Sequence, residues 1–293
     1  MDVLKLEIGG SVVSIEKDGI SLLDWPHAFY TPFVTQKAPD IVLHLKHMPE
    51  LPPPPQSPKL FEGALEGFRE WEMYRENGHY QMELFDSRTQ EHDKSVRFSE
   101  SFDEATVYLR QSSYHLTIIL RPLMDILLVH YLSLKQGILM HASSVRDGDC
   151  AYVFTGPSGN GKTTISQIWA VQEGDISVLN DERTIIRKTS QGWMVYGTPW
   201  PGDGFLVGSG GAPLAGIFLI RHGEKNEAIK APKPILFQEL FGQTFANFWD
   251  AEILSRISSV CENLIEEVPV YQLPFLKDAS VTEFIRSVVH ARH

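Results

Sequence analysis

At 293 residues, with 43% hydrophobic and 22% charged side chains, the chain has room for one large domain or two ordinary ones, and disorder over its whole length is excluded. Its 37 acidic against 26 basic residues leave a formal charge of −11, a field that repels nucleic-acid backbones and argues against such a partner. A small phosphorylated ligand stays open, because a local nest of N–H groups with one lysine holds phosphate inside an acidic protein.

Cys150 and Cys261 have no metal-ligand spacing and read as free thiols in a reducing compartment. The most apolar stretch, Leu123–Leu134, is interrupted by Asp125 and His130 and is too short to span a bilayer, so no membrane partner is expected. The opening residues alternate like a strand and lack a basic start before an apolar run, which makes the cytoplasm the expected location.

Residues 1–120 read as short strands separated by turns, a β-rich α+β N-terminal domain without a catalytic motif. Val3, Leu4, Leu6 and Ile8 open it, and Gly9-Gly10 breaks the run before residues 12–15. Residues 41–45 form another strand, and Pro52-Pro53-Pro54-Pro55 fixes a loop or a short polyproline stretch. Strand-like runs follow at 78–85, 95–98 and 114–120. Arg121-Pro122 then begins a helix with Leu123, Ile126, Leu127 and Leu134 on its apolar stripe, ended by Gly137.

From Ile138 the pattern becomes α/β over residues 121–293 as a whole. Residues 138–145 are a strand, Asp147-Gly148 a tight turn and 151–155 the returning strand. A glycine loop and a helix to Glu173, closed by Gly174, come next, then a short buried strand at 176–179. Residues 183–188 and 193–196 form a hairpin, and 214–220 a further strand. Two helices within 238–266, a strand at 268–273 and a helix at 281–290 complete the pattern.

The segment Gly156-Pro157-Ser158-Gly159-Asn160-Gly161-Lys162-Thr163-Thr164 has two glycines five apart followed by Lys and Thr. Gly156, Gly159 and Gly161 let backbone N–H groups turn inward without a Cβ, and the helix that follows aims its dipole at the same anion. Lys162 would neutralise β- and γ-phosphates, and the Thr163 hydroxyl would ligate Mg²⁺. A glycine turn without function is the competing reading, and the strand before and amphipathic helix after argue against it.

Asn180-Asp181-Glu182 ends the next strand, where carboxylates beside a phosphate loop hold Mg²⁺ or accept a proton from an attacking hydroxyl. Asp181 is assigned as the base and Glu182 as the metal-associated group, against the alternative of a polar turn. His141 lies on the strand that pairs with the one feeding the loop, and is either a structural histidine or an active-site group. The segment Gly197–Gly211, with six glycines and the aromatic side chains of Trp200 and Phe205, reads as a mobile lid rather than a plain surface connection.

A strand with His, a hairpin return, the phosphate loop, a helix and a strand ending in an acidic pair together resemble the catalytic domain of HPr kinase/phosphorylase, a fold related to phosphoenolpyruvate carboxykinase. The resemblance spans residues 137–220, more weakly to the end. It implies ATP and Mg²⁺ as cofactors, active-site roles for His141, Lys162, Thr163, Asp181 and Glu182, and self-assembly into homo-oligomers. Pro157 replaces the acidic residue usual in bifunctional members, and their signature loop is absent, which disfavours HPr as the substrate. The chain looks closer to the HPr-kinase-related proteins of peptide natural-product clusters, including those that phosphorylate the C-terminal Ser of a lasso peptide precursor.

The resulting expectation is transfer of the γ-phosphoryl group of ATP to a Ser or Thr hydroxyl of a peptide or protein, recruited by the N-terminal strands through edge pairing. Phosphorylation of free serine, or an ATP-binding switch without transfer, are the alternatives.

Overall fold

The computed structural model describes residues 2–24, 28–65, 68–86 and 88–290. It divides into two compact units, residues 1–7 with 11–127 and residues 8–10 with 128–293.

The first unit is built on an eight-stranded sheet. Its strands are β1 (Asp2–Ile8), β2 (Ser11–Asp18), β4 (Ile41–His47), β5 (Lys59–Leu65), β6 (Phe68–Glu76), β7 (His79–Phe85), β8 (His92–Phe98) and β9 (Glu104–Leu109). They lie in the order β1-β2-β4-β9-β8-β7-β6-β5, with β2, β4 and β9 parallel and β9 through β5 antiparallel. Period-two alternation buries Ile41, Leu43 and Leu45, then Met82 and Leu84, then Val107 and Leu109. A polar band crosses the sheet where Glu72, Glu83 and Ser95 stand in register. Both carboxylates are buried and paired, Glu72 with Lys59 and Tyr74, Glu83 with His92 and Ser95.

Short β3 (Ser21–Leu22) and β10 (Ser113–Tyr114) pair in parallel. Residues 114–120, expected as a strand, instead leave β10 and enter helix α1 (Leu116–Leu120). The Asp24 carboxylate accepts the Leu116 N–H at 2.5 Å, capping the helix from a distant segment, a tertiary contact that overrides local β-branched preference. Helix α2 (Leu123–Leu134) follows, and the boundary between the units falls inside it.

The second unit contains β11 (Gly137–Asp147), β12 (Cys150–Thr155), α3 (Lys162–Ala170), β13 (Ile176–Asn180), β14 (Arg183–Thr189), β15 (Gly192–Tyr196), β16 (Gly211–His222), α4 (Lys233–Phe241), α5 (Ala251–Glu267), β17 (Val270–Phe275) and α6 (Ser280–His290). A two-residue turn with Gly148 at φ +60° joins β11 to β12. Strands β12, β16 and β17 run parallel. Strand β11 has β12 on one edge from Ala142 onward, and on the other β14 up to His141 followed by β13 from Ser144. The pairings β11–β14–β15–β16–β12–β11 therefore close a circuit.

Several boundaries differ from the sequence pattern. The helix after the glycine loop ends at Ala170, not Glu173, because the Gln172 side chain donates to the Ile168 carbonyl and takes over its hydrogen bond at 2.8 Å. Strand β13 is an edge strand, antiparallel to β11 and only half-buried over its first three residues, not a fully buried strand. The first of the two later helices starts at Lys233, where Pro232 and Pro234 fit its opening turn. Among the described residues, no helix is long and apolar enough to cross a membrane.

Helices α3 and α6 cover the parallel strands. Trp169 and Ile165 of α3 and Ile285 of α6 pack on Tyr152, Phe154, Phe218 and Tyr271. Trp169 is fully buried, and its Nε1 has no hydrogen-bond partner among the described residues. Trp169→Ala should therefore cost about 3–5 kcal/mol of stability through the cavity it leaves. Trp169→Phe, which removes the orphaned donor and keeps most of the bulk, should cost under about 1.5 kcal/mol or stabilise. Urea unfolding followed by circular dichroism measures both.

Candidate active site

The fold explains where the chemistry-bearing residues gather. Strand β12 delivers the chain to Gly156, residues 156–161 turn back on themselves, and α3 starts at Lys162. Gly156, Gly159 and Gly161 have φ of +152°, +85° and +102°, conformations that side chains rarely adopt. A Cβ on Gly156 would approach the Ile220 carbonyl to 3.0 Å, whereas one on Gly159 would meet nothing within 4 Å. The loop is thus tight at its root and open at its crest, where Pro157, Ser158 and Gly159 are exposed. Asn160 pins it to β16 by donating to the Ile220 carbonyl at 3.0 Å. Helix α3 starts directly after the loop, with Gly161 as its N-cap and no side-chain cap, so its first-turn N–H groups have no intrahelical acceptors.

Lys162 is buried, and its ammonium donates to the Gly156 carbonyl at 2.9 Å. Burial lowers its pKa, partly countered by the charge of Glu182. A buried cation that leans on neutral carbonyls and one carboxylate gains from any anion brought into the loop.

The acidic residues reach the same place through an irregular ladder. Strand β13 pairs with β11 with a register shift that leaves Leu179 as an extra residue, and β14 resumes the pairing at Arg183 opposite His141. Asp181 and Glu182 occupy the gap. Asn180, fully buried, builds it: its Oδ1 accepts from the Glu182 and Arg183 amides at 2.7 and 2.6 Å. Its Nδ2 donates to the carbonyls of Thr198 and Trp200 at 2.8 and 3.2 Å.

The two carboxylates have different surroundings. Asp181 is fully buried and accepts N–H bonds from Gly202 at 2.8 Å and Gly204 at 2.7 Å. Glu182 is about one-third exposed and lies 3.3 Å from His141 Nε2. The His141 hydrogen bond holds the Glu182 carboxyl below its ordinary pKa against the opposing effect of burial, helped by the charges of His141, Arg183 and Lys162. Thr163 and Asp181 both lie close to Gly204: a Cβ on that glycine would lie 2.9 Å from Thr163 Cγ2 and 2.5 Å from Asp181 Oδ2. The structure thus brings His141, Lys162, Thr163, Asp181 and Glu182 into one neighbourhood.

The segment from Gly197 to Gly210 is irregular apart from a bridge between Val207 and Asn180. Trp200 is buried within it and Phe205 is 69% exposed. Three participants lie in segments noted in the sequence but were assigned no role in the site there. Asn180 could have been found from the preference of Asn for bonding the backbone two residues on; Gly202 and Gly204 carry no distinguishing signal beyond their spacing. A cavity of about 200 Å³ opens beside the loop's root, lined by Gly156, Pro157, Arg221, Gln238, Glu239 and Gln243.

A scan of protein-family models finds none that matches the chain, and a search of curated proteins finds no match to it.

The His141–Glu182 contact gives a direct test. His141→Ala should move the Glu182 carboxyl upward toward the ordinary glutamate value, read by carboxyl carbon NMR across a pH series. Because the folded-state value is depressed, the pair stabilises the fold above the unfolded value of 4.5 and loses that contribution as pH falls through the folded value. The variant should therefore show a shallower loss of thermal stability on acidification than the parent.

Proposed function

We propose that this chain is an ATP-dependent phosphotransferase of HPr-kinase-like type that phosphorylates a Ser hydroxyl of a peptide or protein. The observation that carries the reading is the buried Lys162 ammonium at the root of a positive-φ glycine loop, with Asp181 packed against the same glycine as Thr163 and the Glu182 charge acting on Lys162. A β-hairpin that feeds the loop supports the likeness to HPr kinase and phosphoenolpyruvate carboxykinase.

The residues present fit both cofactors. The open crest at Gly159 leaves room for phosphate oxygens, and the α3 N-terminus supplies donors and positive potential. Among the described residues, no cluster of three or more His, Cys, Asp or Glu side chains could hold a metal alone. Mg²⁺ ordinarily takes one or two carboxylates, a hydroxyl and the substrate's own phosphates, which Asp181 or Glu182 with Thr163 could provide. When bound, the ion would neutralise charge on the β- and γ-phosphates.

In the proposed reaction the acceptor oxygen bonds to the γ-phosphorus, the bond to the β–γ bridging oxygen breaks, and ADP departs. Lys162 and the loop amides stabilise the charge that gathers on the transferred group. The hydroxyl proton passes to a carboxylate. Glu182 is partly exposed and oriented by His141, whereas Asp181 is enclosed by Gly202 and Gly204. This geometry favours Glu182 as the acceptor of the proton in the closed state and leaves Asp181, the residue assigned from sequence, to serve after that enclosure opens. The cavity at Gly156 and Pro157 adjoins the carbonyls that Lys162 bonds, so it lies toward the γ-phosphate end of the loop. A second reading takes a small hydroxyl metabolite such as free serine as the acceptor.

Incubating the full chain with ATP and Mg²⁺ and either Ser-containing peptides or free serine, followed by mass spectrometry, tests the reading. A gain of one phosphoryl group on the acceptor is expected; slow ATP hydrolysis with no modified acceptor would leave only a nucleotide switch. Lys162→Met should retain a melting temperature near the parent's, because a buried charge is removed together with its carbonyl contacts, and should lose the nucleotide-induced thermal shift. Asp181→Asn and Glu182→Gln separate the roles: loss of transfer by about 10²-fold with nucleotide binding retained identifies the proton acceptor.

A further inference from the structure

Asp181 is fully buried beneath a few residues of glycine backbone. Gly202 and Gly204 each donate an N–H to a different carboxylate oxygen. Gly204 also packs close to both Asp181 Oδ2 and the Thr163 methyl, from which a Cβ added to it would lie 2.5 and 2.9 Å. Gly202 is equally close-set, with its Cβ position 2.9 Å from the Glu182 Cβ.

Both ends of the surrounding segment are fastened. Asn180 ties down the carbonyls of Thr198 and Trp200, and Gly208 donates its N–H to the Leu179 carbonyl at 2.9 Å. Between them the tip carries Phe205, an exposed aromatic residue with φ +55°, a left-handed conformation that is costly for a bulky side chain. A strained tip between fixed ends can leave its seat without unravelling the segment.

We propose that residues 202–205 form a latch on Asp181 which a divalent cation must displace, so that cation binding and release of the tip are one coupled equilibrium. The proposal rests on the phosphotransferase reading for its ligand, Mg²⁺ presented with a nucleotide. The reason is burial and pairing: Asp181 is enclosed, with a glycine N–H on each carboxylate oxygen, so an ion reaches it only when that backbone moves.

Hydrogen exchange read by mass spectrometry on the full chain tests the latch without relying on activity. Three conditions are compared: protein alone, protein with a non-hydrolysable ATP analogue in a chelator, and protein with the analogue and Mg²⁺. Amides of residues 202–207 should exchange about tenfold faster in the third condition than in the second. Equal or slower exchange there, with Mg²⁺ binding confirmed by calorimetry, overturns the latch, as does failure of Mg²⁺ to bind. Calorimetry of the analogue separates the two ideas: analogue binding with Mg²⁺ but exchange unchanged from the chelator condition sinks the latch alone, and no analogue binding with or without Mg²⁺ sinks the phosphotransferase reading with it. Gly204→Ala, whose Cβ cannot share space with Asp181, should exchange fast at 202–207 before any cation is added and bind Mg²⁺ with the analogue about tenfold more tightly. If that variant does not fold, the wild-type comparison decides by itself.

Discussion

The second unit's site depends on the side chain of Asn180. One buried amide spends its oxygen on the backbone of Glu182 and Arg183 and its nitrogen on the backbone of Thr198 and Trp200. It thereby shapes the acidic turn and fixes the root of the glycine-rich segment in a single act. Neither half is regular structure, so neither has a ladder of its own to define it, and buried backbone groups without such a partner would be costly. A leucine of similar size would remove all four of these hydrogen bonds.

Around that amide, the topology explains why chemistry collects here. Strand β11 has β12 on one edge from Ala142 onward, and on its other edge β13 gives way to β14 through Asp181 and Glu182. That turn therefore stands beside His141, while β12 runs from the opposite edge into the loop and Lys162. His141, Asp181, Glu182 and Lys162 meet because they lie about this one stretch of β11, although up to 41 positions separate them along the chain.

Much of this was legible in the sequence, and the limits have physical causes. The glycine loop, the strand before it and the helix after it could be read because each requires particular residues at fixed offsets: glycines where φ is positive, apolar residues at helical spacing. The β11–β12 hairpin was legible from Asp147-Gly148 for the same reason. The helix at Leu116–Leu120 was not, since its start is capped by Asp24, more than ninety residues away. The enclosure of Asp181 by Gly202 and Gly204 was equally hidden, because glycine density predicts freedom of the backbone and says nothing of which acceptor its amides will find. The cavity at Arg221 and Glu239 draws on residues from β16 and α4 that share no pattern.

The net charge of −11 deserves to be set against the local one. An acidic protein attracts Mg²⁺ and repels ATP at long range, and salt screens both effects beyond about 10 Å. Close in, the balance reverses: the α3 N-terminus, the inward N–H groups and a buried ammonium form a positive spot too small to change the overall field. Burial lowers the pKa of Lys162, and Glu182 raises it again. The same carboxylate that would serve the chemistry therefore also helps to keep the lysine charged. Removing Glu182 would weaken the loop's hold on phosphate as well as proton transfer, so its two contributions must be read separately, as binding and as rate.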